Sequence, residues 1–267
     1  MDNIKKLSAI KGRYALITGA SGNLGRAISQ TLAELGANLI LTDLNKAELE
    51  SLKKEITRKW NVEIAIKDCN LEIQEERSEL IQWINGNFDK LNILINNAAF
   101  VGTSDLKGWS EDFKSQSIET WRRALEVNLT ASFELCQKLS PLMAASEGAS
   151  IVNIGSIYGV FAPDWRLYED TMMANPAAYA ASKGGLIQIT RWLSTTLAPK
   201  IRVNIISPGG ILRGQPIDFI KKYEDKIPLQ RMASENDLCG AIAFFASDLS
   251  AYITGQNLMV DGGFGTW

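Results

Sequence analysis

The stretch TGASGNLGRA, residues 18–27, joins an apolar segment to a segment with helical periodicity. Its three glycines, Gly19, Gly22 and Gly25, are spaced evenly by three. Glycine permits positive φ angles and a close approach of backbone N–H groups to a ligand, and the amino end of a helix attracts anions. The stretch therefore predicts a strand–turn–helix unit that holds the pyrophosphate of a dinucleotide. A tight turn without a ligand is the alternative.

Apolar runs and helical patterns alternate along the whole chain. The predicted strands are 14–18, 38–42, 62–66, 91–95, 149–154, 201–206 and 257–260, and the predicted helices are 23–36, 46–59, 74–86, 119–144, 177–197 and 234–247. Several strands are apolar on both faces, as the strands of a buried parallel sheet are. The alternation predicts an α/β fold, a doubly wound and mostly parallel Rossmann-type sheet with helices on both faces. Because no repeat or linker interrupts the pattern, we expect residues 1–267 to form a single domain.

The composition excludes several classes of function. The net charge of the 267 residues is −2 and no basic block is present, so we expect no nucleic-acid partner. No apolar run is long enough to span a bilayer, so we expect no membrane role. The chain has no histidine, which excludes a Ser-His-Asp triad and every His-ligated metal site. The three cysteines lie far apart without metal-ligand spacing, so we expect no metal and a reducing, cytoplasmic compartment.

An acidic residue at the end of the second predicted strand narrows the choice of dinucleotide. Asp43 lies twenty-four residues after Gly19. A carboxylate there can accept hydrogen bonds from the 2′- and 3′-hydroxyls of an adenosine ribose, and it repels a 2′-phosphate. The nearest base after it is Lys46, so we expect NAD rather than NADP as the cofactor. Asp43 could instead cap the helix that starts at residue 46, although Asn45 is the better candidate for that cap.

The sequence YAASK contains an acid–base pair that needs no histidine. Tyr179 and Lys183 lie four residues apart in a predicted helix, which puts both side chains on one face. A free tyrosine has a pKa near ~10 and is a poor base at neutral pH. A lysine ammonium one turn away stabilises the phenolate and lowers that pKa. A cation stacked on a surface ring is the alternative for this common spacing.

Two further polar residues precede the tyrosine–lysine pair in the chain. Ser156 follows the fifth predicted strand, where its hydroxyl can bond a substrate oxygen. Asn128 lies inside the predicted helix 119–144, where a buried amide is unusual unless it has a polar task. A side chain that bonds the local backbone is the alternative for Asn128.

The chain resembles a short-chain dehydrogenase/reductase from about residue 12 to the last residue, because the motifs of that family occur in it in the same order. The matching segments are the loop 18–25, NNAA at 96–99, Asn128, Ser156, Tyr179 with Lys183, SPGGI at 207–211 and TGQNLMVDGG at 254–263. The resemblance implies a seven-stranded sheet and reversible hydride transfer between a nicotinamide cofactor and an alcohol or ketone. Residues 176–200 and the C-terminal segment are also similar to oxidoreductases of bacterial flagellin-glycan and nonulosonate sugar clusters.

The resemblance implies a catalytic role for four residues. Tyr179 is the general acid–base, and Lys183 lowers its pKa and holds the nicotinamide ribose. Ser156 polarises the carbonyl group of the substrate. Asn128 anchors a water molecule of a proton relay.

The resemblance also implies a set of cofactor contacts. Asn97 and Ala98 lie against the adenosine half, and the backbone of Ile211 meets the carboxamide. The expected cofactor-binding residues are Gly19, Ser21, Gly22, Asn23, Leu24, Gly25, Asp43, Asn70, Asn97, Ala98, Ala99, Tyr179, Lys183, Pro208, Gly209 and Ile211.

Three positions depart from the family pattern. Asn23 occupies a position where the family has glycine, and asparagine tolerates left-handed backbone angles better than most residues. The resulting Gly-x-x-Gly-x-x-Gly spacing resembles sugar-nucleotide epimerases and dehydratases, but the chain length and the TGQNLMVDGG segment argue against that branch. Ala99 replaces a glycine, and Arg213 replaces a threonine whose hydroxyl contacts the cofactor in the family.

Three connections are expected to form the substrate site, at about 100–118, 157–176 and 211–232. The second connection is longer than is usual in the family, and its composition is polar and aromatic. A pocket for a fatty chain would be mostly apolar, so we expect a polar substrate.

Two arginines in these connections are candidates for substrate recognition. The planar fork of Arg166 or Arg213 suits a phosphate or a carboxylate. As alternatives, Arg166 pairs with Asp164 or Glu169 on the surface, and Arg213 contacts the cofactor pyrophosphate.

The sequence thus predicts an NAD-dependent oxidoreductase that acts on a hydroxyl or carbonyl group of a polar small molecule such as a sugar derivative. Reduction of a 3-oxoacyl carrier-protein thioester is one alternative, and Asp43 argues against it because that reaction usually draws on NADPH. A non-catalytic dinucleotide-binding sensor or scaffold is an alternative of another class. The resemblance implies a homo-oligomer, a tetramer or a dimer, formed through the helices near 119–144 and 177–197.

Overall fold

The computed structural model describes residues 3–101 and 106–266, and seven strands in these residues form one sheet. The strands are β1 (Tyr14–Thr18), β2 (Asn38–Asp43), β3 (Ile64–Asp68), β4 (Ile93–Asn96), β5 (Ala149–Ile154), β6 (Ile201–Pro208) and β7 (Asn257–Val260). Their order in the sheet is β3-β2-β1-β4-β5-β6-β7, and every neighbouring pair is parallel. The predicted doubly wound Rossmann-type sheet is therefore confirmed.

Helices cover both faces of this sheet. They are α1 (Ile4–Ser8), α2 (Asn23–Glu34), α3 (Lys46–Lys59), α4 (Gln74–Asn87), α5 (Ile118–Leu125), α6 (Ala131–Ala144), α7 (Ala177–Thr196), α8 (Ile217–Lys226) and α9 (Asn236–Ala246). Short 3₁₀ turns occupy 113–115, 157–159, 165–167 and 248–250, and a π-helical turn joins α5 to α6.

The strand β1 shows how the sheet divides two apolar cores. Ala15 and Ile17 pack on one face with residues of α2, α3 and α9. Leu16 points to the other face and packs with residues of α4, α6 and α7. Successive side chains of a strand alternate between faces, so a strand covered on both sides must be apolar throughout.

The centre of the sheet contains the point where the winding reverses. β1 and β4 are neighbours, although β2 and β3 lie between them in the chain. The connection after β1 leads toward β2 on one side, and the connection after β4 leads toward β5 on the other side. The two connections diverge above the carboxyl ends of these strands, which leaves a crevice there.

Most predicted elements differ from the structure by one or two residues at their ends, and two of the differences have a clear structural cause. The third strand begins at Ile64 rather than at 62, because Val62 N donates to Trp60 O in a turn and the chain pairs with β2 only afterwards. The helix predicted at 119–144 is divided by the π-helical turn Glu126–Thr130. Helices α1 and α8 were not predicted from the sequence, and α8 lies inside the connection 211–232 that was expected to be a loop.

Candidate active site

A cleft of about 650 Å³ opens above the carboxyl ends of the central strands. Every residue of the expected cofactor-binding set except Ser21 lines this cleft, and Ser156 and Arg213 line it too. Asn128 and Arg166 do not line it. Further lining residues that the sequence analysis missed include Phe100, Val101, Arg123, Val127 and Gln215.

The packing of the protein requires glycine at positions 19 and 25 of the opening stretch, but not at position 22. Gly19 has φ +62°, and a Cβ there would lie 2.8 Å from Ala98 Cα. A Cβ on Gly25 would lie 2.0 Å from Gly19 O, so only glycine allows α2 to pack on the turn. A Cβ on Gly22 would meet nothing closer than 3.5 Å, although Gly22 lines the cleft. The protein itself does not require glycine at position 22, so the open space there is available to a ligand.

Helix α2 presents its amino end to the cleft. Gly22 is its N-cap residue, no side chain caps this helix end, and Gly22, Asn23, Leu24 and Gly25 all line the cleft. Uncapped N–H groups and the helix dipole favour an anion such as a pyrophosphate. The residues present therefore fit the phosphate groups of a dinucleotide.

Asn23 does not adopt the left-handed conformation that the sequence analysis considered. It is the first residue of α2, and Asp170 and Gln230 are the non-glycine residues with positive φ in the described part of the chain. Gly19 supplies the left-handed angle of the turn, so position 23 is free to be helical.

Thr18 and Asn97 tie the glycine turn to β4. The Thr18 hydroxyl oxygen accepts hydrogen bonds from the backbone N–H groups of Asn97 and Ala98, both at 3.0 Å. The Asn97 side-chain amide donates to the carbonyl oxygens of Thr18 and Gly19, both at 2.9 Å. Asn97 thus fixes the floor of the cleft in addition to lining it.

Asp43 lines the cleft at the end of β2. Its Oδ2 accepts hydrogen bonds from Ser21 N at 2.9 Å and from Ser21 Oγ at 2.7 Å, and its Oδ1 accepts from Leu44 N at 2.7 Å. The helix cap at this place comes instead from Asn45, whose Oδ1 accepts from Ala47 N and Glu48 N. Ser21 does not line the cleft itself, and both its backbone N–H and its hydroxyl are bonded to the carboxylate of Asp43.

Tyr179 and Lys183 lie one turn apart on α7 and both line the cleft. The Lys183 ammonium is buried, donates to Ile154 O at 2.7 Å and lies 5.8 Å from the centroid of the Tyr179 ring. Burial lowers the pKa of Lys183 to about 8. One bond to Ile154 leaves two of the three ammonium protons for other acceptors in the cleft.

The pKa of Tyr179 differs from the expectation. Burial raises it, and this effect outweighs a hydrogen bond with Ser156 and the positive charge of Arg213, which both lower it. The expected lowering by Lys183 is therefore not the net result in this structure. The reason is that the hydroxyl lies in a poorly hydrated place, while the ammonium is directed at the backbone of β5.

Ser156 lies at the carboxyl end of β5, directly before a 3₁₀ turn. Its Oγ accepts a hydrogen bond from Tyr158 N at 3.2 Å, which fixes the hydroxyl at the start of that turn. Ser156 is nearly fully buried but lines the cleft beside Tyr179. The two hydroxyls therefore converge on one place where a substrate oxygen could be held.

Asn128 lies in the π-helical turn behind this place. Its Oδ1 accepts from Phe100 N at 2.6 Å, and its Nδ2 donates to Phe100 O at 3.3 Å and to Ser182 Oγ at 3.0 Å. Ser182 Oγ in turn donates to Tyr179 O at 2.8 Å. The amide joins the loop after β4 to α7, so it bonds distant groups rather than the local backbone. π-helical turns are frequent at functional sites.

The two candidate substrate arginines lie in different surroundings. Arg213 lines the cleft and its Nε donates to Glu235 Oε1 at 3.0 Å. The side chain of Arg166 is 81% exposed and forms a bidentate pair with Asp164, at 2.8 and 2.7 Å. This geometry argues against Arg166 as a substrate ligand and agrees with its surface-pair alternative.

The connection 157–176 does not line the cleft. Its apolar side chains, such as Ile157 and Leu167, pack with Phe219 and Tyr223 of α8 and with Phe264. The expectation that this segment forms a substrate loop is not supported, because none of its residues lines the cleft and several of its aromatic side chains join this core instead. In the connection 100–118, Phe100 and Val101 line the cleft, and residues 102–105 lie outside the described residues.

The described residues contain neither a helix suited to a membrane span nor a cluster of side chains suited to a metal ion. No helix within 3–101 and 106–266 is long and apolar enough to cross a membrane. No group of acidic and cysteine side chains in the same ranges could hold a metal ion.

Known proteins resemble this chain over nearly its whole length. A family model described as enoyl-(acyl carrier protein) reductase matches residues 19–265. A 3-oxoacyl-[acyl-carrier-protein] reductase of Rickettsia conorii is 34% identical, with 95% of this chain and 97% of the relative covered. A trans-4-hydroxycyclohexanecarboxylate dehydrogenase of Sinomonas cyclohexanicum is 33% identical, with 94% and 92% covered. The post-translational flagellin modification protein A of Campylobacter coli is 29% identical, with 96% and 99% covered.

Solved structures show the same fold with either nicotinamide dinucleotide. A short chain dehydrogenase from Leptospira borgpetersenii with bound NAD⁺ is 32% identical and superimposes with a TM-score of 0.82, with 99% of this chain and 96% of that chain covered. A complex of Pseudomonas aeruginosa RhlG with NADP is 26% identical, with a TM-score of 0.84 and 97% and 98% covered. The matches over the full length and the glycine turn, Ser156, Tyr179 and Lys183 at the cleft lead to one conclusion: the chain belongs to the short-chain dehydrogenase/reductase family of oxidoreductases.

Proposed function

We propose that this oxidoreductase transfers a hydride between NAD and a hydroxyl or carbonyl group of a polar, anionic small molecule. The observation that carries the proposal is the convergence of Ser156, Tyr179 and Lys183 on one wall of a cleft whose other wall is the amino end of α2. The first wall suits an oxygen that gains or loses a proton, and the second suits a pyrophosphate.

The nicotinamide cofactor, when bound, supplies or accepts the hydride. In reduction, the Tyr179 hydroxyl donates its proton to the carbonyl oxygen of the substrate, and Ser156 donates a hydrogen bond to the same oxygen. The Lys183 ammonium stabilises the phenolate that remains and offers its other protons to ribose hydroxyls. In oxidation, the phenolate of Tyr179 accepts the proton of the substrate hydroxyl. Because burial raises the pKa of Tyr179, the hydroxyl is protonated at neutral pH and is ready to act as an acid.

The surroundings of Asp43 support NAD rather than NADP as the cofactor. The carboxylate lines the cleft, and the residue after it is Leu44. A cation that was not considered from the sequence, Arg26, lies near Asp43. Its Nε donates to the backbone oxygen of Ser21 at 2.9 Å, and Ser21 in turn bonds Asp43. Its guanidinium also approaches Glu48 and Glu55, at 3.5 and 3.4 Å, so its charge is shared with two carboxylates. The carboxylate of Asp43 would repel a 2′-phosphate, and the positive charge of Arg26 is already paired with Glu48 and Glu55.

Arg213 supports an anionic substrate. It lines the cleft together with Tyr179, and its charge is felt at the Tyr179 hydroxyl. The Arg213 guanidinium, 43% exposed, can leave Glu235 for a substrate carboxylate or phosphate, because an ion pair that water reaches is worth about 0–1 kcal/mol. The name of the relative from Sinomonas cyclohexanicum includes a carboxylate substrate, which agrees with this class.

Reduction of a 3-oxoacyl carrier-protein thioester is the second candidate function. Several relatives carry that name, at identities of 30–35%. Phe100 and Val101 give the cleft an apolar part that an acyl chain could use. A non-catalytic dinucleotide-binding protein is a weaker candidate, since all four expected catalytic residues are present.

A substrate screen with the purified protein tests the proposed function. NADH and NADPH absorbance are followed with hydroxy acids, sugar acids, sugar phosphates, neutral polyols and a 3-oxoacyl thioester. The proposal expects turnover with NAD(H) and with at least one small anionic substrate. Turnover of the thioester with NADPH alone would replace it with the second candidate. Dinucleotide binding without turnover of any substrate would favour the non-catalytic alternative.

We also propose that the protein is a homo-oligomer, a tetramer or a dimer. The long helix α7 carries an exposed Trp192, with 53% of its surface accessible, which suits a contact with another copy. Light scattering coupled to gel filtration measures the molar mass, and a monomer at micromolar concentration would refute this proposal.

A further inference from the structure

The loop after β3 forms one end of the cleft. Four consecutive residues of this loop, Cys69 to Glu72, line the cleft. Two arginines from two different helices bond neighbouring residues of the loop, and neither arginine belongs to the expected catalytic set.

Arg77 of α4 bonds this loop from the protein interior. Its side chain is 2% exposed, and its Nη1 donates to Leu71 O at 2.7 Å. Its Nε pairs with Glu134 Oε2 at 2.6 Å and its Nη2 with Glu126 Oε1 at 2.7 Å. A buried guanidinium is costly unless its donors are paired, so these three contacts fix its place. Arg77 therefore holds the carbonyl of Leu71 against α6 and the π-helical turn.

Arg123 of α5 bonds the next residue from inside the cleft. Its Nε and Nη2 donate to the two carboxylate oxygens of Glu72, at 2.6 and 3.2 Å. The guanidinium carbon lies 5.0 Å from the centroid of the Phe100 ring. Arg123, Glu72 and Phe100 all line the cleft, so this pair joins the loop after β3 to the opposite wall.

The order of the strands indicates which part of a bound dinucleotide would lie beside the Arg123–Glu72 pair. The pyrophosphate site lies above β1 at the amino end of α2, and the ribose site lies at Asp43 after β2. β3 is the next strand outward in the sheet. The base attached to that ribose would therefore lie against Asn70, Leu71 and Val127, between the loop after β3 and the turn after α5.

We propose that Arg77 and Arg123 are positioning residues that hold Leu71 and Glu72 as the wall of an adenine pocket. This inference rests on the proposed function only in requiring a dinucleotide with an adenosine half. It goes further in assigning the affinity for adenine nucleotides to two ion-pair clusters remote from the hydride-transfer site. AMP, which contains the adenosine half without the nicotinamide, is the probe that separates this end of the cleft from the catalytic end.

The test compares Arg123→Gln, Glu72→Gln and their combination with Arg122→Gln as a matched control. Arg122 is the neighbouring arginine of α5; it is exposed and does not line the cleft. AMP binding is measured by titration calorimetry, and the kinetics give KM for NADH and kcat. We expect each single variant to weaken AMP binding by about tenfold, and the combination to add little because both remove the same pair. KM for NADH should rise by a similar factor, with a smaller effect on kcat at saturating NADH.

Arg77→Met tests the buried cluster, and its unfolding temperature is measured alongside. If this variant does not fold, Glu134→Gln removes one partner of Arg77 and leaves the guanidinium with Glu126 and Leu71. The folded variant should bind AMP more weakly than the wild type. Unchanged AMP affinity, within twofold, in Arg123→Gln and Glu72→Gln would overturn the inference.

Failure of this inference differs from failure of the proposed function. A wild-type protein that binds AMP and NADH but turns over no substrate leaves the inference intact and rejects the proposed reaction. A wild-type protein that binds neither AMP nor NADH rejects both. Weakened AMP binding in the Arg122→Gln control would show that the effect is general loss of positive charge, which also overturns the inference.

Discussion

The carboxylate of Asp43 accepts hydrogen bonds from both the backbone N–H and the hydroxyl of Ser21, at 2.9 and 2.7 Å. Asp43 thus has two tasks that the sequence alone did not separate. It fixes the glycine turn, and under the proposed function it offers a charge to a ribose of the cofactor.

The first prediction separates these two tasks. Asp43→Ala should raise KM for NADH by at least about tenfold and reduce the discrimination against NADPH, because the ribose hydroxyls lose a charged acceptor. Ser21→Ala removes only the hydroxyl from the turn and should change KM for NADH by less than about threefold. Initial rates with each dinucleotide check both expectations. Efficient use of NADPH by the wild type would contradict the choice of NAD.

The second prediction concerns the two glycines that line the cleft on either side of Leu24. Gly25→Ala should destabilise the protein strongly, because its Cβ would lie 2.0 Å from Gly19 O. Gly22→Ala should leave the unfolding temperature almost unchanged, since its Cβ meets no protein atom closer than 3.5 Å. The same Gly22→Ala variant should nevertheless weaken NADH binding, because the methyl group occupies the place of the pyrophosphate. Calorimetric unfolding and NADH titration measure both effects, and normal NADH affinity in Gly22→Ala would remove the pyrophosphate from this turn.

The third prediction concerns the proton donor. Tyr179→Phe removes one hydroxyl, so NADH affinity should persist while turnover falls by about 10²-fold or more. Tyr252→Phe is the control, because Tyr252 is fully exposed and does not line the cleft. Stopped-time assays at saturating NADH compare the two. A Tyr179→Phe enzyme with nearly normal turnover would require another acid in the cleft.

The fourth prediction concerns the stability cost of Lys183. Burial lowers the pKa of this ammonium to about 8, so the folded state binds its proton less tightly than the unfolded chain does. The resulting destabilisation is complete below pH 8 and disappears as the pH rises from 8 toward the unfolded value near ~10.4. Lys183→Met should therefore abolish turnover and yet stabilise the protein by about 1–3 kcal/mol at pH 7.

Denaturant unfolding at pH 7 and pH 9.5 checks this sign. The difference in unfolding free energy between Lys183→Met and the wild type should shrink at the higher pH, because the buried ammonium of the wild type has by then lost its proton. An advantage that grows with pH would contradict the assignment of the lowered pKa. The lost bond to Ile154 O opposes the gain, which is the reason for the wide range.

The fifth prediction compares the two candidate substrate arginines. Arg213→Ala should raise KM for an anionic substrate by about tenfold without changing NADH affinity. Arg166→Ala should change neither, since Arg166 is a surface residue paired with Asp164. Steady-state kinetics with the substrate from the screen measure both. Weaker NADH binding in Arg213→Ala would assign Arg213 to the pyrophosphate, and the proposal of an anionic substrate would lose its support.

Local spacing was enough to predict the glycine turn and the tyrosine–lysine pair, and the family resemblance supplied most of the other residues that line the cleft. Tyr179 and Lys183 share a helix, and Gly19, Gly22 and Gly25 share a turn, so their geometry follows from a few backbone angles. The alternation of apolar and helical segments was enough for the parallel sheet, because strands buried on both faces must be apolar throughout.

The surroundings of these residues depended on contacts between distant segments. The connection 157–176 looked like a polar substrate loop, but Tyr158, Phe161 and Tyr168 join a core with α8, a helix that was not predicted from the sequence. The pKa of Tyr179 is raised rather than lowered, because its burial depends on neighbours from several elements and not on Lys183 alone.

The sequence by itself determined the fold class, because that depends on the periodicity of the elements, and it determined the family through the resemblance of its motifs. It also determined that Tyr179 and Lys183 lie one turn apart, because their spacing belongs to a single helix. Only the tertiary structure decided that Arg166 faces solvent, that Arg213 lines the cleft, and that Arg77 and Arg123 bond one loop from two helices. A long side chain can reach partners over several ångströms in many directions. Which partner it reaches depends on how distant segments pack, and that packing leaves no periodic signal in the chain.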